Sequence, residues 1–278
     1  MSALSPETFR TEASISWNVF RYIADYTHLF GVLCVILTLL RNNSCHGLSI
    51  RTQILYSLVF FTRYLDLWTT WSLQSTYLVV FKSFFLLSSA YIVIQMVLMR
   101  ATLERSKDTF AMLPVLIFCT VLGVMTSSER NLMTTCWTFS EWLEAFAMVP
   151  QYIFSYRDFG NSDCGVTSFI LAVGGYRTFY AMNWIYKRMV LGSRYSNKNS
   201  WIGGAIEILF FIDFVCSKFF NKNVFLRNLA LRVDDKVNDI QEVIEMRVFG
   251  GPVRKRRQYD AQQNDKETTP FGAPLAEI

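Results

Sequence analysis

The sequence is poor in histidine and in paired cysteines. His28 and His46 are the only histidines in 278 residues, too few for the multi-histidine metal sites of membrane desaturases and hydroxylases. The six cysteines stand singly along the chain, without the close pairs typical of zinc ligands or a disulfide framework. They are interpreted as packing residues, and the sequence predicts neither a bound metal nor a cofactor.

Catalytic and targeting motifs are also missing. The chain has no HExxH motif, no glycine-rich phosphate loop and no hydrolase-type order of serine, histidine and aspartate. Residues 1–16 are polar and lack the basic segment and cleavage site of a signal peptide. We therefore expect a short N-terminal extension followed by an apolar segment that is its own insertion signal, and we do not predict an enzyme.

Apolar residues, by contrast, are abundant. Hydrophobic residues make up 52% of the chain and aromatic residues 16%, more than a soluble domain of this size needs for its core. Apolar runs of roughly 17 to 25 residues, each long enough to cross a hydrocarbon layer about 30 Å thick, recur along the chain. They cover about Trp17–Leu40, Ile50–Trp71, Tyr77–Met99, Phe110–Thr126, Leu132–Phe154, Val166–Val190 and Trp201–Phe220. The sequence predicts an all-α membrane protein with seven transmembrane helices over residues 17–220.

The segment after residue 220 has a different pattern. Apolar residues recur at threes and fours between charges from Leu226 to Val248, which predicts an amphipathic helix over residues 221–249, followed by a disordered tail at 250–278. Eleven lysines and arginines from Lys218 onward favour the cytosol for this region. Seven spans then place the N-terminus on the other side of the membrane. Four basic residues oppose this orientation, namely Lys187, Arg188, Arg194 and Lys198. The conflict is resolved by placing Lys187 inside the sixth helix.

The first predicted span has a polar stripe. Arg21, Asp25 and His28 are spaced by four and three residues, which places them on one helix face over about 10 Å. An intramembrane histidine can be a helix-to-helix hydrogen-bond partner or a pH-responsive group, since the imidazole pKa of about 6.5 lies within the range of organelle pH. The neighbouring charges add weight to the second interpretation.

The second and third predicted spans also contain charges. Arg63 and Asp66 are three residues apart and are expected to share a helix face that points into a bundle interior. Such a pair would suit a ligand with both charge signs. Lys82, near one end of the third span, is interpreted as a residue that snorkels to the interface, and the third and fourth spans as structural.

The fifth and sixth predicted spans have the longest polar stripes. Thr134, Trp137, Glu141 and Glu144 share one face of the fifth, and Pro150 beyond them is expected to kink the helix. In the sixth, a stripe of about 16 Å has Arg177 and Asn183 beside it and consists of Tyr176, Tyr180, Trp184 and Lys187. A four-residue peptide held extended is at most about 14 Å long, so the stripe is long enough to follow one. The alternative is simple packing of tyrosines with a snorkelling lysine.

The seventh predicted span adds Glu207 and Asp213. Each ionised residue costs roughly 2.5 to 3.5 kcal/mol at the centre of an inserted helix, so this many polar groups on four helices predict a cavity. Basic residues are slightly more prominent among these groups than any set of nucleophiles or metal ligands. We therefore expect the cavity to bind an anion or a zwitterion rather than to catalyse a reaction.

Two segments form sequence signatures, of which the first is long and specific. The first is Gly47-Leu48-Ser49-x-Arg51-x-Gln53-x-Leu55-Tyr56-x-Leu58-Val59-Phe60-x-x-Arg63-Tyr64, and the second is Leu143-Glu144-Ala145-x-Ala147-Met148-x-Pro150-Gln151. Shorter matches are Cys45-x-Gly47, Trp137-Thr138-Phe139-Ser140, Tyr176-Arg177 and Asn183-Trp184. In order and spacing these segments resemble the KDEL receptors, the ER lumen protein-retaining receptors, and the resemblance extends over about Asn18–Phe220.

The resemblance implies both fold and function. It implies seven helices arranged as in SWEET and PQ-loop transporters, with two three-helix bundles joined by the fourth helix, a luminal N-terminus and a cytosolic C-terminus. It further implies a receptor of the ER and Golgi membranes. Such a receptor binds the C-terminal KDEL- or HDEL-type tetrapeptide of escaped ER proteins in the acidic Golgi, returns them in coat-protein-I (COPI) vesicles and releases them at neutral pH.

The resemblance also implies a ligand site. Arg63 with Tyr64 would hold the terminal carboxylate by charge-assisted contacts, and Asp66 with Trp137 would receive a cationic first residue. The other implied ligand-binding residues, which include those for the acidic ligand side chains, are Arg21, Tyr180, Trp184 and Lys187.

The same resemblance implies a pH-dependent lock. His28 would be the proton sensor, and a hydrogen bond between Glu144 and Tyr176 would close the bound state. Protonation adds positive charge near an anionic ligand and so favours binding at acidic pH. The supporting polar network would comprise Asp25, Arg177 and Asp213.

Two positions depart from the family pattern. The family's arginine in the sixth helix is Lys187, which keeps the charge but loses the bidentate fork, and its acid before Trp137 is Thr134. The preferred tetrapeptide therefore stays open. The tail is also longer than in short-tailed members, and Lys218 and Lys222 are candidates for the lysine-based sorting signal that the COPI coat would read, with the basic run at Arg254 as another.

Two other functions compete with retrieval. Pro150-Gln151 and the three-plus-three layout are compatible with a small-solute or proton-coupled transporter of the SWEET or PQ-loop type. A structural or adaptor protein acting through its amphipathic tail would leave the interior charges unexplained. For each of these functions membrane lipids are expected partners, and binding to nucleic acid is not expected.

Overall fold

The computed structural model describes residues 18–69, 74–158, 163–192, 197–220 and 225–249. Within these residues every regular element is a helix, which confirms the predicted all-α class. A short 3₁₀ turn at Arg100–Thr102 precedes α5. The α-helices are α1 (Val19–Asn42), α2 (Ile50–Arg63), α3 (Asp66–Thr69), α4 (Thr76–Leu98), α5 (Met112–Thr126), α6 (Leu132–Ala147), α7 (Val149–Arg157), α8 (Cys164–Leu191), α9 (Lys198–Phe220) and α10 (Phe225–Phe249).

Polar caps determine where several helices begin. An asparagine, serine or aspartate side chain accepts a hydrogen bond from a backbone N–H of the first turn, which would otherwise lack a partner. The capping residues are Asn18, Ser49, Ser75, Asn131 and Asp163. By length and composition α1 and α4 are able to span a membrane, and α5 is a shorter apolar helix.

Two of the predicted spans are interrupted. α2 ends at Arg63, where the Tyr64 N–H donates to Phe60 O, and α3 begins only at Asp66. The prediction that Arg63 and Asp66 share a face of one unbroken helix is therefore wrong. In the fifth span α6 ends at Ala147 and α7 begins at Val149, so the helix is interrupted at Met148, two residues before Pro150, for which a kink was predicted.

The helices pack around an apolar core and a polar interior. α1 lies along α8, while α2 contacts both α4 and α6, and α9 contacts α6 and α8. The close approach of α1 to α8 requires Gly31, because an added Cβ there would overlap the Val173 side chain. Leu55 of α2 and Leu143 of α6 are fully buried. This packing leaves the polar stripes of α1, α6 and α8 facing a common interior.

The chain divides into two compact units after Asp234. The described part of the second unit comprises the last turns of α10, residues 235–249. α10 as a whole occupies the region where the sequence predicts an amphipathic helix. The predicted N-terminal extension (1–16), the tail (250–278) and Lys222 lie outside the described residues.

Candidate functional site

A cavity of about 240 Å³ lies between α1, α2, α4, α6, α8 and α9. Most of the residues predicted for the ligand site, the lock and the supporting network line this cavity. They are Arg21, Asp25, His28, Arg63, Tyr64, Trp137, Glu144, Tyr176, Arg177, Tyr180 and Trp184. The polar stripes of three predicted spans are thus brought together in one place.

Glu144 joins three helices at the base of this cavity. Arg63 Nη1 lies 2.7 Å from Glu144 Oε2, and the guanidinium of Arg177 pairs with the same oxygen. Tyr176 Oη donates to Glu144 Oε1 at 2.5 Å. Arg177 Nε in turn donates to Glu207 at 2.7 Å. Two arginines and two glutamates therefore form a buried network in which opposite charges alternate, which compensates the desolvation of each charge.

Asp25 is the centre of a second polar cluster. Tyr180 Oη donates to its Oδ1, and Tyr77 Oη donates to its Oδ2 at 3.0 Å. Arg21 Nε lies 3.9 Å from Asp25 Oδ2, one helical turn away. The cluster fixes two tyrosine hydroxyls at the cavity wall and places a guanidinium beside them.

His28 is buried between aromatic rings. Its ring stacks on Tyr176 at a centroid distance of 4.3 Å and on Phe85 at 4.7 Å. Tyr176 is the residue whose hydroxyl binds Glu144. A change in the charge of His28 would therefore act directly on the predicted lock.

Asp66 occupies a different environment from the one predicted. Lys82 Nζ, on α4, donates to Asp66 Oδ2 at 2.5 Å and to Gln74 Oε1 at 2.7 Å. The interpretation of Lys82 as a snorkelling residue is wrong, since its side chain is largely buried and lines the cavity. Because Lys82 pairs with the Asp66 carboxylate, the predicted contact between Asp66 and a ligand cation has no support in this arrangement.

Three further predicted residues lie apart from the described cavity lining. Lys187 is buried on α8 and Asp213 on α9. Tyr156 Oη donates to Asp213 Oδ2 at 2.9 Å. Lys218, half-buried on α9, lines a small separate cavity with Gly47 and Asp158.

Sequence reasoning missed three polar residues of the cavity as members of the site. Tyr77 and Lys82 come from α4, which was interpreted as structural, and Ser200 comes from α9. Lys82 did have a usable signal, because a lysine within an apolar span usually faces a bundle interior. Glu141, by contrast, lies on the predicted stripe of α6, although neither sequence motif includes it.

The cavity suits a ligand that is anionic at one end. The described lining contains four cationic side chains (Arg21, Arg63, Lys82 and Arg177) and three acidic ones (Asp25, Glu141 and Glu144). Tyrosine and tryptophan rings complete the wall. A guanidinium binds a carboxylate through two parallel N–H donors, and indole faces attract cations. The site can therefore recognise both charge signs in one extended ligand.

Comparison with known proteins identifies a set of similar chains. A family model described as ER lumen protein retaining receptor matches residues 44–187. The chain is 33% identical over 198 residues to an ER lumen protein-retaining receptor of Drosophila melanogaster, an alignment that covers 71% of this chain and 91% of the relative. A Petunia hybrida protein of the same name is 37% identical over 200 residues, with the same coverage. A Plasmodium falciparum protein of that name is 37% identical over 204 residues, which is 71% of this chain and 90% of the relative.

Proposed function

Since the chain belongs to the ER lumen protein-retaining receptor family, we propose that it binds the C-terminal KDEL- or HDEL-type tetrapeptide of escaped ER proteins and returns them to the ER. The observation that supports this function most strongly is the cavity itself. Arg63 and Tyr64 line it within the family-matched region, beside further arginines and aromatic rings. The names of the relatives favour a receptor over the transporter considered above.

Each part of the site has a proposed role. Arg63 and Tyr64 bind the terminal carboxylate of the peptide, Arg21, Trp184 and Lys187 bind its acidic side chains, and the first residue lies beside Trp137. The two N–H groups of a guanidinium match a carboxylate in geometry and charge. Tyr180, held by Asp25, forms part of the wall between them. The ion pairs that link Glu144, Arg177 and Glu207 support these groups. Asp213, which accepts from Tyr156 on α7, is the remaining proposed member of the supporting network.

The pH response follows from the position of His28. In the acidic Golgi, protonated His28 adds a positive charge next to Tyr176 and Glu144 and favours a bound anionic peptide. At the higher pH of the ER the proton is lost, and so is this contribution. The observed hydrogen bond from Tyr176 to Glu144 supports their role as the lock.

The proposed topology is seven spans with a luminal N-terminus and a cytosolic C-terminus in ER and Golgi membranes. α4 contacts α1 and α2, and α9 contacts α6 and α8, which supports two three-helix bundles joined by α5. The proposed segments are a luminal extension at 1–16, the receptor domain at 17–220, a cytosolic amphipathic helix at 221–249 and a tail at 250–278. Lys218 and Lys222 are the proposed sorting residues for the COPI coat, and lipids surround the spans.

A retention assay tests this function in cells. A secreted reporter ending in Lys-Asp-Glu-Leu is expressed in cells that lack their own receptor, with this chain or its Arg63→Ala variant. We expect retention of the reporter with the wild-type chain and secretion with the variant. Equal secretion with and without the wild-type chain would contradict the proposal.

A further inference from the structure

Glu141 is an acidic residue of the cavity wall that the proposed roles leave unused. It lies on α6 one helical turn after Trp137, and residues four apart share a helix face. Its side chain lines the cavity although the residue is only 8% exposed. A buried carboxylate facing a cavity is costly unless something compensates its charge.

The recorded partners of Glu141 hold only one of its two oxygens. Asn197 Nδ2 donates to Glu141 Oε1 at 2.8 Å, and Ser200 Oγ donates to the same oxygen at 2.5 Å. Asn197 also caps the start of α9 by accepting from the Ser200 N–H. The orientation of Glu141 is therefore fixed by α9, and within the described part of the chain no hydrogen bond is recorded to Oε2.

Glu141 also differs from the other acids of this region in having no charged partner recorded among the described residues. Glu144 pairs with Arg63 and Arg177, Asp66 pairs with Lys82, and Asp25 lies beside Arg21. Both recorded donors to Glu141 are neutral. Among the acids of the described cavity, its negative charge is thus the one that no recorded salt bridge offsets.

We propose that Glu141, together with the indole of Trp137, binds the cationic side chain at the first position of the retention tetrapeptide and sets the preference for that residue. This inference rests on the proposed function. A carboxylate supplies the opposite charge, and the ring of Trp137, 41% exposed, supplies a face for the same cation.

The assignment replaces the one made from sequence. Asp66 is already paired with Lys82 at 2.5 Å, and Lys82 also contacts Gln74. Asp66 is also absent from the described lining of the cavity, whereas Glu141 is part of that lining. Glu141 faces the cavity with neutral donors on Oε1 alone, so a ligand cation meets no cationic side chain in a salt bridge with it among the described residues.

Peptide binding tests the inference. Two peptides, ending in Lys-Asp-Glu-Leu and in norleucine-Asp-Glu-Leu, are titrated against the purified full chain in detergent at about pH 5.5. We expect the wild-type chain to prefer the lysine peptide by about tenfold, the scale of one charge-assisted contact. Glu141→Gln, which keeps the shape, should bind both peptides about equally. The double variant Asp66→Asn/Lys82→Met, which removes the competing pair, should keep the preference.

Each outcome separates this inference from the proposed function. If the wild-type chain binds neither peptide, the proposed function fails. If it binds both equally, or if Glu141→Gln keeps the full preference, only the role of Glu141 is overturned. The wild-type comparison needs no variant, so a Glu141→Gln protein that fails to fold does not remove the test. Glu141→Asp serves as a charge-conserving control and should retain part of the preference.

Discussion

Arg63 Nη1 on α2 lies 2.7 Å from Glu144 Oε2 on α6, with Arg63 Nε donating to Ser140 Oγ at 3.1 Å. The guanidinium is thus oriented by α6 at the wall of the cavity. The first prediction concerns this orientation. Arg63→Lys keeps the charge but loses the planar fork, so affinity for a peptide with a free carboxylate should fall about tenfold or more. Isothermal titration would measure the loss.

Arg51 provides a matched control for this substitution. It lies on the first turn of α2, where it contacts Asp108 and does not line the described cavity. Arg51→Lys should leave peptide affinity unchanged. Wild-type affinity in Arg63→Lys would remove Arg63 from its proposed role.

The second prediction concerns His28. His28→Phe preserves a ring that can stack on Tyr176 and Phe85 but cannot be protonated. Charged His28 stabilises the bound anionic peptide, so its contribution is present at low pH and is lost as the pH rises. The variant should therefore bind with nearly the same affinity at about pH 5.5 and about pH 7.4. An undiminished pH response would show that another group is the sensor.

The third prediction concerns Glu104, which lies outside the predicted spans. Its substitution is also a control for the second prediction. Burial alone would raise the pKa of Glu104, but hydrogen bonds from Lys107 Nζ and the Gly47 N–H lower it below its ordinary value of 4.5. Because the pKa is lowered in the folded protein, the ionised carboxylate stabilises the fold above its ordinary pKa. This stabilisation is lost only as the pH falls through the lowered pKa. Glu104→Gln should therefore lower the unfolding midpoint at about pH 7.4, because both hydrogen bonds to the carboxylate are weakened. It should not alter the pH dependence of peptide binding, and a change there would contradict this account.

The fourth prediction concerns Gly204 on α9. A Cβ added there would lie 2.6 Å from ring atoms of Trp184, closer than such atoms approach. Gly204→Ala should displace Trp184 and lower peptide affinity by about tenfold, since overpacking costs roughly 1 to 3 kcal/mol. Gly175→Ala is the matched control, because its Cβ would meet Phe211 at an ordinary 3.4 Å. Equal affinity for both variants would exclude Trp184 from the site.

The fifth prediction concerns Asp234, in the first half of α10. Buried Asp234 accepts from Thr109 Oγ1 at 2.5 Å and from Arg157 Nη2 at 3.1 Å. Asp234→Ala would leave both donors without this acceptor and should lower the free energy of unfolding by about 2 kcal/mol. Thermal unfolding in detergent would show it. Exposed Asp239 is the control, and Asp239→Ala should leave the midpoint unchanged.

The positions of α1, α2, α4, α5, α6, α8 and α9 were predictable because each one coincides with a long apolar run, and α10 was predictable from the regular spacing of apolar residues between charges. Pro150 also predicted a kink in the fifth span, since proline lacks the N–H that an unbroken helix needs, and the structure interrupts that span at Met148. The break after Arg63 was not predictable in this way. Tyr64 and Leu65 are compatible with a continuing helix, and the restart at Asp66 is accompanied by a contact with Lys82 on another element.

Membership of the cavity was predictable where a stripe on one helix places several polar residues together, as in α1 and α8. It was not predictable where the partner lies far along the chain. Lys82 meets Asp66 and Asn197 meets Glu141 only through packing of separate helices. Helical spacing alone does not show which acids already have cationic partners, and this decides which acid is available to a ligand.

Peptide binding to the purified chain tests the central claim most directly. A peptide ending in Lys-Asp-Glu-Leu is titrated at about pH 5.5 and about pH 7.4, once with a free C-terminal carboxylate and once amidated. The account predicts saturable binding of the free peptide that is tighter at the lower pH and is lost on amidation, because Arg63 would then have no carboxylate to bind. No saturable binding at either pH would contradict the retention function, and binding that survives amidation would contradict the role of Arg63.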